Sequence, residues 1–220
     1  MLANDTVMML LEGTRDTLYM TVVSTLFAYL FAFPIGIALV ITKKDGLHPI
    51  GFIYRFLDIV VNVGRSVPFL ILLIAVIPLT KFIAGKSYGP TATIVPLVIA
   101  ATPFIARLIE SSLQEVDQGV IEAAQSMGAS LLTIVFKVLI PEAKNSLIVG
   151  ATIAIATILG YSAMAGILGG GGLGDIAIRY GYYRYQTEIM LMTLVLLIIL
   201  VQLLQMIGMK IAQKTDKRTV

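Results

Sequence analysis

Apolar residues occur in long blocks with almost no charge, not in the amphipathic stripes of a water-soluble helix. Four blocks contain no charged residue and reach the roughly 20 residues that cross a bilayer, at 17–42, 87–106, 145–174 and 189–209. A fifth block, 57–80, includes Asp58 and Arg65. The pattern predicts an all-α, polytopic membrane protein of about five transmembrane helices, with spans near 17–41, 57–80, 88–109, 144–168 and 188–209.

The second span carries a charge, and prolines occur in most of the spans. A charge at the bilayer centre costs about 3 kcal/mol on insertion scales, so Arg65 is expected near an interface or facing the interior of the bundle. The prolines predicted inside spans are Pro34, Pro68, Pro78, Pro96 and Pro103. Each removes a backbone donor and can kink its helix. Kinked helices fit a translocation path that moves, and they equally fit a static bundle.

Composition supports the membrane interpretation and narrows the chemistry. The chain is 58% hydrophobic and 13% charged, against roughly 25% charged residues in soluble domains. It has no cysteine and one histidine, His48, which argues against disulfides and a thiolate metal site. The formal net charge is +3, but the basic residues are scattered between apolar blocks, so no nucleic-acid partner is expected.

The orientation prediction rests on lysine and arginine in the connecting segments, which favour the cytoplasmic side. One side would hold Lys43, Lys44, Arg55, Arg107, Lys137, Lys144, Lys210, Lys214, Lys217 and Arg218. The other would hold Arg15, Lys81, Lys86, Arg179 and Arg184. We therefore expect one transmembrane domain over 1–220. Its N-terminus lies outside, its C-terminus lies in the cytoplasm, and the long connection at 110–143 is cytoplasmic.

This connection has the signals of a short helix, a stop and a second helix. Asp117 can cap the first helix, and Gly128 can take the left-handed conformation that ends it. Ser130 can cap the next helix, which continues until Pro141. The result is a short cytoplasmic helix exposed to a partner.

A spaced motif lies on this segment: Glu122, Ala123 and Ala124, then Gly128, then Pro141. It resembles the EAA signature of binding-protein-dependent importer permeases, and departs from it only conservatively, at Val138 and Ile140. The resemblance implies that the segment is a coupling helix that docks into a separate cytoplasmic ATPase. The alternative is an ordinary amphipathic interfacial helix.

Further stretches resemble the permeases of methionine ABC importers: Arg65–Phe69, Gly160–Gly166, Gly169–Asp175 and Arg179–Tyr182. The resemblance implies a homodimer in the lipid of a bacterial inner membrane that forms a path for D- or L-methionine. It also implies two copies of a cytoplasmic ATP-binding subunit and an extracytoplasmic substrate-binding protein. ATP and Mg would be bound by the partner ATPase, with no cofactor, metal site or catalytic residue in this chain.

The same resemblance assigns residues to the path. It implies that Met164 is an apolar gate, since a flexible thioether can seal a pore and re-pack, and that Tyr161 and Ser162 line the path. The alternative for Met164 is a plain core methionine. Gly160 and Gly166 would allow close approach of facing helices.

The predicted outer segment contains candidate docking residues and a run of glycines. Arg179, Tyr180 and Tyr182 are expected to receive the binding protein, although aromatic residues at this depth usually form an interfacial belt. The run 169–174 satisfies G-x-G-x-x-G but follows a spanning helix and not a strand, so we interpret it as a flexible hinge.

Other functions stay open as alternatives. The chain could be an importer permease for another amino acid, or an ion-coupled carrier acting alone. Carriers usually place Asp, Glu or His inside their spans, and here only Arg65 is clearly embedded. An intramembrane enzyme would need a paired nucleophile and base or a metal cluster, which the sequence does not offer, so we expect no enzyme.

Overall fold

The computed structural model describes residues 3–215, and within that range every regular element is helical. The helices are α1 Ala3–Thr42, α2 Gly51–Ser66, α3 Phe69–Ala75, α4 Ile77–Ala84, α5 Pro90–Gln114, α6 Gln118–Ser126, α7 Leu131–Ile134, α8 Ile140–Glu142, α9 Lys144–Ala165, α10 Gly172–Ile176 and α11 Thr187–Thr215. Val135–Leu139 and Ala177–Tyr182 form wide π-helical turns, and Gly166–Leu168 forms a 3₁₀ turn. Lys217 and Arg218, which the charge count assigns to the cytoplasmic side, lie outside the described residues.

The apolar blocks form the long helices. Four stretches are long and apolar enough to cross a membrane: α1, α5, Lys144–Tyr182 and α11. The pair α2 and α3 makes a fifth if the two count as one broken span. The predicted fold class, an all-α membrane protein of about five spans, is confirmed.

The segment predicted as the second span, 57–80, is divided among three helices. Pro68 precedes the first residue of α3, and Pro78 lies in the first turn of α4, where a missing N–H costs nothing. Arg65 is exposed near the end of α2. In contrast, Pro34 lies within the continuous helix α1. The prolines therefore interrupt this segment and are accommodated elsewhere.

The chain divides into two compact units, each built from three separate stretches. Unit 1 comprises residues 3–28, 67–101 and 154–205, and unit 2 comprises residues 29–66, 102–153 and 206–215. The core of unit 1 contains Met20, Phe69, Leu73, Leu97 and Ala165. In the same unit the rings of Phe69 and Tyr161 stack, with centroids 4.6 Å apart. The single domain over 1–220 stays a prediction.

The glycine-rich run of unit 1 forms a packed turn where the sequence predicts a flexible hinge. Gly172 has a φ of 73°, and a Cβ there would lie 2.6 Å from Oγ1 of Thr17. The same hydroxyl accepts a hydrogen bond from the Leu173 N–H at 2.9 Å. The N–H of Gly89 donates to the Gly169 carbonyl at 2.8 Å. Glycine is required here for close backbone packing, which corrects the hinge interpretation.

Unit 2 is likewise held by close approach of small residues. A Cβ on Gly36 would lie 2.7 Å from Cγ2 of Ile109, so α1 and α5 meet closely at this point. Ser146 Oγ donates to Ser112 Oγ at 3.1 Å, which links α9 to α5. These contacts fix the helices that lead into and out of the segment 115–143, where the candidate site lies.

Candidate functional site

The first half of the candidate coupling segment is a short, well-capped helix. The Asp117 carboxylate accepts a hydrogen bond from the Gly119 N–H at 2.7 Å, at the start of α6. At the other end Gly128 has a φ of 76°, and its N–H donates to the Gln125 carbonyl at 2.9 Å. The Ala129 N–H donates to the Ala124 carbonyl at 3.1 Å. Both predicted helix ends, the Asp117 cap and the left-handed Gly128, are confirmed.

One face of α6 is packed and the other is open. Ile121 and Ala124 are buried. Glu122 and Ala123 are exposed on the opposite side. Met127 at the end of the helix is 81% exposed. The EAA residues are therefore divided: Ala124 holds the helix to unit 2, while Glu122 and Ala123 are presented outward.

The second half continues as a helix with a widened turn. Ser130 caps α7 by accepting the Thr133 N–H at 3.3 Å, as the sequence predicts. The Ile140 N–H then reaches back five residues to the Val135 carbonyl. Pro141 has no N–H to offer to the preceding turn, and a π-helical turn is a common way to absorb such a break. Pro141 itself is exposed in the first turn of α8.

Apolar side chains on this segment face outward. Within the described chain, the exposed large apolar residues of 115–143 are Val120, Met127, Leu132 and Phe136. We call these four residues, together with Glu122 and Ala123, the coupling face. Exposed apolar surface of this kind marks a site of contact with another protein or with the membrane.

A partly buried ion cluster lies in unit 2, and sequence reasoning missed it. Nη1 of Arg107 lies 2.6 Å from Oε2 of Glu110, and Nη2 lies 2.6 Å from Oδ1 of Asp58. Nη2 also donates to the Asn62 amide oxygen at 2.9 Å, and Gln114 Nε2 donates to Glu110 at 3.1 Å. The Glu110 side chain is only 5% exposed.

The statement that only Arg65 is embedded is therefore wrong, because Glu110 is a buried acid within α5. A signal was available, because Arg107, Glu110 and Gln114 recur at i, i+3 and i+7 on one face of a helix. The partner Asp58 lies 49 residues earlier, and no local pattern identifies it. The carboxylate of Glu110 is already engaged by a guanidinium and an amide, so it is not free to carry an ion.

The residues assigned to the path lie near the end of α9. Met164 is 47% exposed, whereas Tyr161 is half-buried against Phe69. Ser162 is 1% exposed, and its hydroxyl donates to the Leu159 carbonyl at 2.8 Å. Of the three residues assigned to the path, Met164 is therefore the most exposed.

The residues assigned to binding-protein docking are brought together in unit 1. Arg179 forms an ion pair with Asp175 and is exposed. Tyr182 is 64% exposed, and Tyr180 carries the guanidinium of Arg184 over its ring at 4.6 Å from the centroid. The wide turn Ala177–Tyr182 therefore displays aromatic and cationic groups on one exposed segment. Within residues 3–215, no group of three or more His, Asp or Glu side chains is placed to bind a metal ion.

Comparisons with known proteins agree with this geometry. Residues 32–217 match the family described as the binding-protein-dependent transport system inner membrane component. A Vibrio cholerae protein, the probable D-methionine transport system permease protein MetI, is 52% identical over 96% of this chain and 93% of its own length. The Bacillus subtilis methionine import system permease protein MetP is 44% identical, covering 94% of this chain and 93% of its own.

A solved structure gives the same fold. A chain from the inward-facing conformations of the MetNI methionine ABC transporter superposes with a TM-score of 0.96 at 43% identity. The match covers 98% of this chain and 100% of that one. This multi-pass chain therefore belongs to the family of inner membrane components of binding-protein-dependent transport systems.

Proposed function

We propose that this chain is the permease subunit of an ABC importer for methionine. Two copies would enclose the path, and two copies of a separate cytoplasmic ATPase would bind ATP and Mg and drive transport. The observation that carries the proposal is the capped helix α6, which presents Glu122 and Ala123 outward. The names of the relatives support methionine as the substrate.

The coupling face suits a partner that closes over it. Ala123 has a small side chain, so a groove on the ATPase can approach the backbone of α6 closely. Met127 and Phe136 supply the apolar area, and Glu122 supplies a charge for a basic partner group. Because Ile121 and Ala124 are packed in unit 2, a push on α6 is transmitted to that unit as a whole. This is how ATP-driven closure would reach the helices.

The remaining site residues take their roles from this mechanism. Met164, exposed on α9, would be the apolar gate, and Tyr161, stacked on Phe69, would form a rigid wall beside it. We place Ser162 next to the path as a packing residue, because its hydroxyl is bonded within its own helix. The orientation that fits these roles has the N-terminus outside and the segment 110–143 in the cytoplasm.

The exposed segment around Arg179, Tyr180 and Tyr182 would receive the substrate-binding protein on the outer side. Aromatic and arginine side chains are enriched in the centres of protein interfaces, which supports this role. The chain itself would carry out no catalysis. Membrane lipid surrounds the apolar outer faces of the helices.

Uptake of radiolabelled methionine into proteoliposomes tests the proposal. The vesicles contain this chain, its co-purifying ATPase and the binding protein, and they are compared with ATP, with a non-hydrolysable analogue and with neither. We expect uptake only with ATP, suppressed by excess unlabelled methionine and unaffected by histidine. Uptake driven by an ion gradient through this chain alone would instead establish an ion-coupled carrier. ATP-dependent uptake of a different amino acid would support the ABC importer mechanism but show that methionine is not the substrate.

A further inference from the structure

A partly open pocket of about 190 Å³ lies in unit 1. Most of its lining is apolar, and the described residues that line it include no charged side chain. The apolar walls are Leu73, Ile77, Ala92, Pro96, Ala165 and Leu168. Ala92 and Ala165 are buried, whereas Leu168 is 40% exposed.

The size of the pocket fits a small apolar group. An apolar cavity of about 150 Å³ in another protein binds benzene, which has six carbon atoms. Beyond Cα, a methionine side chain has four heavy atoms, fewer than benzene. A charged side chain would be excluded, because burying an unpaired charge in apolar surroundings costs several kcal/mol in general.

Two buried hydroxyl groups line the pocket, and only one of them is used. Thr93 is 4% exposed, and its hydroxyl donates to the Gly89 carbonyl at 3.0 Å. Thr80 is 3% exposed, and within residues 3–215 its hydroxyl has no hydrogen-bond partner. The Thr80 hydroxyl is not one of the described buried side-chain atoms that lack a partner, so it is open to the pocket and can pair there with water or with a polar atom of a ligand.

The mouth of the pocket carries the complementary charge. Ser87 and Tyr88 line it and are exposed, Tyr88 at 67%. The Lys86 ammonium lies 3.8 Å from the position of a Cβ on Gly89, beside this rim. A molecule with an apolar tail in the pocket and a carboxylate at the mouth would meet both groups.

We propose that this pocket binds the side chain of the imported amino acid, with its carboxylate near Lys86 and a polar atom near the Thr80 hydroxyl. The proposal rests on the proposed function and adds a substrate subsite to it. The pocket selects neutral, apolar side chains of methionine size and rejects basic ones. It is a selection step within the permease, in addition to any selection by the binding protein.

Photolabelling of the assembled complex tests the subsite. The complex of this chain with its ATPase is placed in lipid nanodiscs and irradiated with a methionine analogue that carries a diazirine in its side chain. Labelled peptides are then identified by mass spectrometry. We expect adducts on pocket residues such as Leu73, Ile77 or Ala92, reduced at least tenfold by excess unlabelled methionine. Excess arginine should not reduce them.

Matched variants make the test specific. Leu168→Trp fills the pocket and should abolish these adducts, whereas Ile167→Trp, which changes the neighbouring exposed residue outside the lining, should keep them. Thr80→Val removes the spare hydroxyl at nearly constant shape. It should raise the half-saturating concentration of the analogue about fivefold, the effect of one hydrogen bond. Thr91→Val, at an exposed position outside the lining, should not.

Each outcome is decisive, and uptake is measured on the same preparations. If wild-type vesicles import methionine but label appears only outside the pocket, the subsite is overturned and the proposed function stands. Pocket label that survives excess methionine also overturns it, since a lipid chain or other apolar compound would behave in that way. If excess methionine suppresses the pocket label but the complex imports no methionine, the result supports the subsite and contradicts the proposed function.

Discussion

The guanidinium of Arg107 joins α5 to α2, with its Nη2 atom 2.6 Å from Oδ1 of Asp58. The same guanidinium holds Glu110, whose side chain is only 5% exposed. Because α5 ends at Gln114, this cluster lies one turn before the segment 115–143 and anchors α5 to α2 within unit 2. Loss of this cluster should therefore lower the stability of the chain, which thermal unfolding can measure.

Replacement of Arg107 should destabilise the chain strongly. Arg107→Gln leaves the buried Glu110 carboxylate without its cation, and removing one partner of a buried pair costs about 3–5 kcal/mol. We expect a clear fall in the midpoint of thermal unfolding of the detergent-purified chain. Arg15→Gln is the control, since Arg15 is 79% exposed and its 3.4 Å pair with Asp16 is worth at most about 1 kcal/mol. Equal midpoints for the two variants would show that the cluster contributes nothing.

The left-handed end of α6 gives a second prediction. Gly128→Ala meets no neighbouring atom, so its effect is the backbone strain of a φ of 76°, about 1–2 kcal/mol. We expect a shifted coupling face, a several-fold fall in ATP-driven uptake and an assembled complex on size-exclusion chromatography. Gly51→Ala is matched, because Gly51 also has open space around it but no positive φ. If Gly128→Ala transports at the wild-type rate, the geometry of this helix end is not needed for coupling.

The gate assignment predicts a leak. Met164→Ala removes a half-exposed thioether from the proposed closure, so basal ATP hydrolysis or passive methionine efflux from loaded proteoliposomes should rise. Met192→Ala removes a side chain of nearly equal exposure, 46%, from α11 and should change neither quantity. Identical efflux from both variants would show that Met164 is an ordinary packing methionine and not a gate.

The elements that sequence reasoning predicted are those set by local rules. Hydropathy gives the long helices, and short-range hydrogen bonding gives the Asp117 cap and the Gly128 end. The division of 57–80 into three helices was not predicted, because Pro68 and Pro78 permit either a kink or an end. The Arg107 pair with Asp58 spans 49 residues, and the Thr17 contact with Leu173 spans 156, so only the fold brings them together.

Of the candidate site, the sequence predicted the position of the short helix α6 but not which of its residues would face outward. Ala123 and Ala124 are identical and adjacent in the motif, yet one is exposed and the other is 5% exposed. Which face of this nine-residue helix is buried depends on how its own residues Ile121 and Ala124 pack against the rest of unit 2. The pocket beside Thr80 was not foreseen either, because its walls come from helices separated by long stretches of chain.

The glycines of unit 1 provide the last prediction. A Cβ on Gly166 would collide with the backbone of Gly174 and Asp175, and a Cβ on Gly174 would collide with the backbone of Ala163. Neither obstacle is the end of a flexible side chain, so the backbone itself must shift. Overpacking typically costs about 1–3 kcal/mol, and a clash with backbone should reach the upper end of this range.

Gly166→Ala is therefore expected to lower the unfolding midpoint and the yield of monodisperse protein. Gly160→Ala is the control on the same stretch, because a Cβ at Gly160 has no atom within 4 Å. Sequence analysis predicts the same role for both glycines, close approach of facing helices, whereas of these two only Gly166 is tightly packed in the structure. A stable Gly160→Ala chain that fails to dimerise in cross-linking would place the close approach of Gly160 at the contact between two copies. If the Gly160→Ala chain dimerises and transports normally, then Gly160 is not needed for close helix packing, and of the two glycines only Gly166 has that role.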